Sequence, residues 1–334
     1  MKISKKTIMW LFVILAVVVM FYTCKTQFYE YKRRDKHPEN YMYGYLDHPE
    51  HSPVLGFDQA LKMTPKQRYN LYIKNGLNKP LKNFSYLGSS SNVDKQLVRE
   101  FLLAARLSAI AYYTEVPMIV GGLDQLGLQL NLKSKLLGYV FNESCQAYVA
   151  TLGDLQILAI RGTEFTEAHH NIWEVWDDLK SDPINVKPKG SYVHAGFYEE
   201  FASLWPSIAP LLDYNKNIWI VGHSLGGVRA HLARAFIPHT TSVRITTFGG
   251  PKGANFDFWD ANMDYNTIIE RVVAERDFAP DFPWVLPFFQ PEESFYWLTQ
   301  GTINKVLERD YINVSLDDHR LTSSYLPLLE NAAK

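Results

Sequence analysis

A chain of 334 residues that is 47% hydrophobic, 14% aromatic and 21% charged lies far from the low-hydrophobicity, high-charge profile of disorder and is long enough to bury a sizeable core. Its formal net charge of -1 leaves no surplus of Lys and Arg to neutralise a phosphate backbone, so nucleic acid is excluded as an expected partner. Two cysteines, Cys24 and Cys145, exclude a disulfide framework; no Cys/His cluster has metal-ligand spacing, His169-His170 reading as a solvated loop, and neither metal nor cofactor is expected.

The first element in chain order is an apolar N-terminal run. Lys2, Lys5 and Lys6 precede an uncharged stretch from Thr7 to Cys24, the pattern of a secretory signal or signal anchor. Its length of about 18 residues is at the short end of the roughly 17 to 25 that span a bilayer. Met20, Phe21, Tyr22 and Thr23 are bulky where cleavage wants small residues, which favours a retained single-pass anchor over residues 1–24. A cleaved secretory signal, or a lipid-anchored Cys24, is the alternative. Lys25, Lys32, Arg33, Arg34 and Lys36 compete with the three leading lysines, so the positive-inside rule leaves the topology open. Between 25 and 93, Pro38, Pro49, Pro53 and Pro65 interrupt any long periodicity, as in a linker or N-terminal extension with short helices. Asn-x-Ser triplets at Asn83, Asn142 and Asn313 would permit glycosylation in a lumenal setting.

Residues 94–334 read as one α/β domain. Leu97, Phe101, Leu102, Ala105, Leu107 and Ile110 recur at helical spacing and predict an amphipathic helix from about Asp94. Apolar, β-rich runs follow at 136–141, 147–152, 155–160, 218–221, 243–248 and 268–274, with a helix over 228–236 stopped by Pro238. Strands alternating with helices imply a mostly parallel central sheet flanked by helices, with ligands bound beyond the strand C-termini.

The run Ile218-Trp219-Ile220-Val221 leads directly into Gly222-His223-Ser224-Leu225-Gly226. A Ser hydroxyl becomes a nucleophile only when a base takes its proton and a sharp turn projects it into a cleft. A Gly-x-Ser-x-Gly elbow between strand and helix supplies that turn, and its outer glycines admit the close approach of strand to helix. In this architecture the acid and then the base follow the nucleophile in the chain. Of His231, His239 and His319, the first sits two turns into the following helix and the second at its far end. His319, in the polar loop Asp317-Asp318-His319-Arg320, is the expected base. Asp277, just past the strand run ending at Ala274, is the expected acid, with Asp281, Asp317 and Asp318 as rivals. One oxyanion donor would be the Leu225 N–H and the other Thr163, after the strand run ending at Ile160.

Taken in order, Arg161-Gly162-Thr163, His194-Ala195-Gly196-Phe197, Gly222 to Gly227, Phe248 to Asn255, Arg276-Asp277 with Pro280, and His319 with Tyr325 resemble the class 3 lipase family. The resemblance covers about Asp94 to Leu329 and implies an α/β-hydrolase fold, with Thr163 as oxyanion donor, Ser224 as nucleophile, Asp277 as acid and His319 as base. Two departures stand out: Lys252 replaces the family's Arg, and Ala254 is inserted before Asn255. The segment Ile172-Trp173-Glu174-Val175-Trp176 resembles the family's lid, with Trp173 and Trp176 either interfacial or plain core. The run from Pro283 to Phe289 is a candidate acyl pocket or membrane contact. The expected activity is a serine carboxylic-ester hydrolase acting through an acyl-enzyme on Ser224, with triacylglycerol, monoacylglycerol or phospholipid at a membrane interface as substrate. A membrane-anchored acyltransferase and a non-catalytic scaffold are the alternatives, and the sequence is silent on oligomeric state.

Overall fold

The segments Leu155–Ile160, Ile218–His223 and Val243–Phe248 form strands that are buried at every position, as a sheet covered on both faces requires. In the computed structural model, residues 93, 95–142, 145–163, 183–283, 288–292, 295–300, 302–306, 315 and 317–334 are described. The anchor over 1–24, nearly all of the 25–93 extension, Asn83, Asn313, His169-His170, the lid candidates Trp173 and Trp176, and residues 284–287 lie outside them.

Eight strands among the described residues make one sheet in the order β1-β2-β3-β6-β7-β8-β9-β10. These are β1 (Ser134–Phe141), β2 (Gln146–Leu152), β3 (Leu155–Ile160), β6 (Ile218–His223), β7 (Val243–Phe248), β8 (Thr267–Ala274), β9 (Phe295–Thr299) and β10 (Thr302–Val306). The central run β3-β6-β7-β8-β9 is parallel, and antiparallel pairs close both edges. A separate antiparallel pair, β4 (Pro183–Val186) with β5 (Ser191–His194), lies beside it.

Strand periodicity sorts the core onto two faces. Ile157, Ala159, Trp219 and Val221 pack with α1 (Lys95–Ile110), α2 (Val116–Leu130) and α6 (Leu326–Ala332). Leu158, Ile160, Ile218 and Ile220 pack on the other face with α3 (Ala195–Ile208), α4 (Leu225–Ala233) and α5 (Phe256–Asn262). The result is the expected three-layer α/β/α arrangement. Within the α1 face lies a charge cluster that hydrophobic patterning does not foresee. Arg244 bonds Glu270 twice, at 2.8 and 2.9 Å, and Glu100 of α1 at 2.6 Å, all three side chains being buried.

Several elements differ from the sequence reading. Helix α2 escapes it because Pro117, Gly121 and Gly122 look like breakers; Pro117 in fact lies in the first turn, where no intrahelical N–H is lost. Helix α4 begins at Leu225, directly on the elbow, and tightens into a 3₁₀ turn over 234–236 before Pro238. The inserted Ala254 is absorbed as a bridge between Val193 and Phe289, and Asn255 still caps α5 by accepting the Phe258 N–H at 3.1 Å. The Asn142 side chain is engaged with Cys145 N–H, Glu200 O and Ser203 Oγ, bonds that a glycan there would displace. Among the described residues, no helix is long and apolar enough to cross a membrane.

Candidate active site

The sheet brings four strand ends together: those of β3, β6, β7 and β8, the carboxyl edge where open α/β sheets bind ligands. Between β6 and α4 there is only Ser224, and the turn imposes φ 56, ψ −128 on it. A left-handed backbone at a non-glycine residue is strained and must be held by its surroundings. The flanking glycines make it attainable, since a Cβ on Gly222 would overlap the Gly226 carbonyl and one on Gly226 would overlap the Ile160 carbonyl at the end of β3. The Ser224 N–H is tied to Phe248 O at 2.9 Å.

His319 ends a 3₁₀ turn (Asp317–His319), and its ring reaches back over the elbow. Its Nε2 lies 2.8 Å from Ser224 Oγ, and its Nδ1 lies 2.9 and 3.0 Å from the two oxygens of Asp277. An ionised Asp only accepts, so Nδ1 carries the proton and Nε2 is left to accept from the Ser hydroxyl. Ser224, Asp277 and His319 each have 0% exposure. Of the acids weighed, Asp318 bonds Arg276 instead, receiving its N–H and Nε at 3.1 Å, and Asp317 pairs with Arg320. The Arg276 bonds fasten the His319 turn to the loop that carries Asp277. The other two histidines are engaged elsewhere: His231 Nε2 faces Thr247 Oγ1 at 3.3 Å inside the core, and His239 Nδ1 faces Asp264 at 2.5 Å.

Among the described residues, Asp277 accepts from His319 Nδ1, the Tyr325 hydroxyl and the Ala279 N–H, the last at 2.9 Å. Burial by itself would raise its pKa, but the His319 imidazole and these hydrogen bonds outweigh that and hold the carboxyl below its ordinary value. The acid is therefore ionised throughout the neutral range.

Thr163 follows β3, and a Cβ added to neighbouring Gly162 would lie 3.1 Å from Ser224 Cβ, which places this strand end against Ser224. The Thr163 hydroxyl oxygen is buried with no hydrogen-bond partner among the described residues, a costly state for a polar atom unless something supplies the missing bond. Leu225 opens α4, so its N–H is among those with no acceptor within the helix. Thr163 thus follows a strand end that abuts Ser224, and Leu225 is the chain neighbour of Ser224. Among the described residues, no group of three His, Cys, Asp or Glu side chains could hold a metal ion.

Residues 157–286 match the family Lipase (class 3). The matched segment contains Thr163, Ser224 and Asp277, whereas His319 lies beyond it and owes its place in the site to geometry. A lipase of Caenorhabditis elegans is 26% identical over 189 residues, covering 53% of this chain and 53% of its own; the chain thus spans about half the length of that curated relative. A fungal lipase solved in complex with an inhibitor superposes with a TM-score of 0.55 at 22% identity over 73% of this chain and 99% of its own. Lipase II from Rhizopus niveus gives 0.53 at 22% over 64% and 85%. At these identities the structural likenesses show the fold, a fungal-lipase-like α/β-hydrolase with a mostly parallel central sheet.

Two residues of the site carried no assigned role in the sequence. Tyr325 belongs to the resemblance, but its bond to Asp277 depends on a wide turn over Leu321–Tyr325 that no local pattern announces. Tyr112, in the turn just past α1, bears no motif in the sequence, and it bonds His223 of the elbow at 2.8 Å.

Proposed function

We propose that the chain is a serine carboxylic-ester hydrolase acting on acyl esters of lipids. The observation that carries the reading is the continuous hydrogen-bonded path from Ser224 Oγ through both nitrogens of His319 to Asp277. His319 Nε2 takes the hydroxyl proton as Oγ forms a bond to the ester carbonyl carbon, and the carbonyl π electrons move onto oxygen. Thr163 and the Leu225 N–H stabilise that oxyanion. Collapse expels the alcohol, which takes the proton from His319 and leaves an acyl-Ser224 ester; water, deprotonated by His319, then releases the carboxylic acid and restores Ser224. Asp277 stays ionised and stabilises the imidazolium without accepting its proton.

The class 3 lipase match, the relative named a lipase and the apolar N-terminal run together favour a lipid ester at a membrane interface, whether triacylglycerol, monoacylglycerol or phospholipid. Because Ser224 is fully buried, an ester reaches it only after part of the surface opens. Trp173 and Trp176 remain the lid candidates, with residues 1–24 as the retained anchor. The test uses full-length protein in detergent, labelled with a fluorophosphonate and assayed on a panel of acyl chain lengths and headgroups. Wild type should label and hydrolyse, and Ser224→Ala should do neither. Full esterase activity in Ser224→Ala would refute the reading.

A further inference from the structure

His223 occupies the elbow position before the nucleophile, fully buried, yet both of its ring nitrogens are bonded. Nε2 lies 2.6 Å from the backbone carbonyl of His319, and Nδ1 lies 2.8 Å from the Tyr112 hydroxyl. A carbonyl only accepts, so Nε2 bears the proton and Nδ1 accepts from Tyr112. The His223 ring also lies against that of His319, with centroids 4.8 Å apart. Burial, with the neighbouring His319 adding to it, pushes the His223 pKa down to about 3, so the ring is neutral wherever an ester hydrolase works.

Tyr112 is itself held from several sides. Gln146, the first residue of β2, donates through Nε2 to the carbonyls of Ala111 and Tyr113, at 2.8 and 2.7 Å, clamping the backbone on both sides of Tyr112. Gln146 Oε1 accepts from Arg161 at 2.9 Å, and the Arg161 guanidinium lies 5.9 Å from the Tyr112 ring centre. A Cβ on Gly162 would overlap the Tyr112 hydroxyl, so this hydroxyl abuts the strand end that leads to Thr163.

The geometry points to Tyr112 and His223 as a positioning strut, running from the end of α1 through the elbow to the backbone of the base, which sets the height of the His319 ring over Ser224. The His319 side chain is oriented by Asp277, but a ring can pivot about one anchor; the His223 bond to the His319 carbonyl supplies a second, on the backbone. The strut also shares a contact with the Thr163 strand end, so one hydroxyl links nucleophile, base and oxyanion donor. Neither residue touches the reacting atoms, and both act through His319. Relaxation of this kind costs turnover while leaving substrate binding intact, because small misplacements of a catalytic group are felt in the transition state.

This inference rests on the hydrolase reading, and the experiment separates the two. Tyr112→Phe keeps the ring and its packing and removes only the hydroxyl, while His223→Gln keeps a donor and an acceptor on a neutral side chain and His223→Leu keeps neither. The measurements are kcat and KM on a soluble ester, the rate of fluorophosphonate labelling of Ser224, and the melting temperature. In Tyr112→Phe, kcat and the labelling rate should fall about tenfold, as expected for one lost hydrogen bond, with KM unchanged. His223→Leu should fall further, and His223→Gln should recover part of that loss. Wild-type kcat and labelling in Tyr112→Phe, or a change confined to melting temperature or KM, would overturn the strut and leave the hydrolase reading standing. A wild-type chain inert to ester and phosphonate would overturn both.

Discussion

Replacing Asp277 with Asn separates the electrostatic role of this residue from its packing. The side chain is fully buried and nearly isosteric, so the substitution opens no cavity. With the amide oxygen in the place of Oδ1 the Ala279 N–H keeps its acceptor, but the NH₂ then stands in the place of Oδ2, where it faces the Tyr325 hydroxyl and the His319 Nδ1–H, donor against donor. The imidazole escapes by moving its proton to Nε2, which leaves no acceptor for the Ser224 hydroxyl. The wrong tautomer costs about 10⁴-fold in kcat at neutral pH, a barrier increase of about 5 kcal/mol. Stability should suffer much less, about 1–3 kcal/mol for the altered hydrogen bonds. The pH dependence supplies a second signature. Because the folded carboxyl titrates below its unfolded value, the unfolded chain binds more protons near pH 4. Wild type therefore loses stability as the pH falls from the unfolded Asp value through the lower folded one. The Asn variant lacks this loss, and the two should converge in acid. Turnover on a soluble ester at pH 7.5 and urea melts from pH 7.5 to 3.5 measure both. A kcat within tenfold of wild type, or stability curves that stay parallel into acid, would refute the assignment of Asp277.

Two further predictions concern the frame around the site. His231 is fully buried and titrates at about 3, chiefly through burial and secondarily through Arg271, whereas in the unfolded chain it takes up a proton below its ordinary 6.5. The lowered folded value makes stability rise with pH between these limits, so wild type should lose about 2 kcal/mol at pH 5 relative to pH 8 through this residue alone. His231→Leu should flatten urea-melt stability against pH by that amount, and an unchanged slope would count against a buried neutral imidazole. Arg244→Met removes the partner of both Glu100 and Glu270, leaving two buried carboxylates facing one another. Breaking a buried ion cluster this way costs ~3–5 kcal/mol. Chemical denaturation at pH 7.5 that shows a loss below 1 kcal/mol would mean the cluster is hydrated in solution.

Residue type and order mark the elements that dictate the site and leave unmarked those that frame it. β3 and β6 were legible because short, mostly apolar runs suit doubly covered strands, β7 because it is rich in β-branched residues, and β6 runs straight into the glycine-flanked serine. Helix α2 was hidden by its proline and glycines, and α3 by its start directly on a strand end. Strands β9 and β10 are short, with half-buried and exposed positions that give little alternation to read. Among the acids, strand-end position selected Asp277, and the ion pairs of Asp317 and Asp318 with Arg320 and Arg276 explain why those two stand aside.

The sequence by itself singled out Ser224, Asp277 and His319 as candidate nucleophile, acid and base, because a glycine-flanked serine after a strand, followed in order by a strand-end Asp and a loop His, satisfies constraints that are local or depend on chain order. Only the tertiary structure decided what holds those three in register. The partners of His223 are Tyr112, 111 residues before it, and His319, 96 residues after it; the Tyr325 bond to Asp277 spans 48. Hydrogen bonds across such separations leave no periodicity in the chain, since each residue type has many other uses. They exist only once the helices have packed on the sheet and brought the strand ends together.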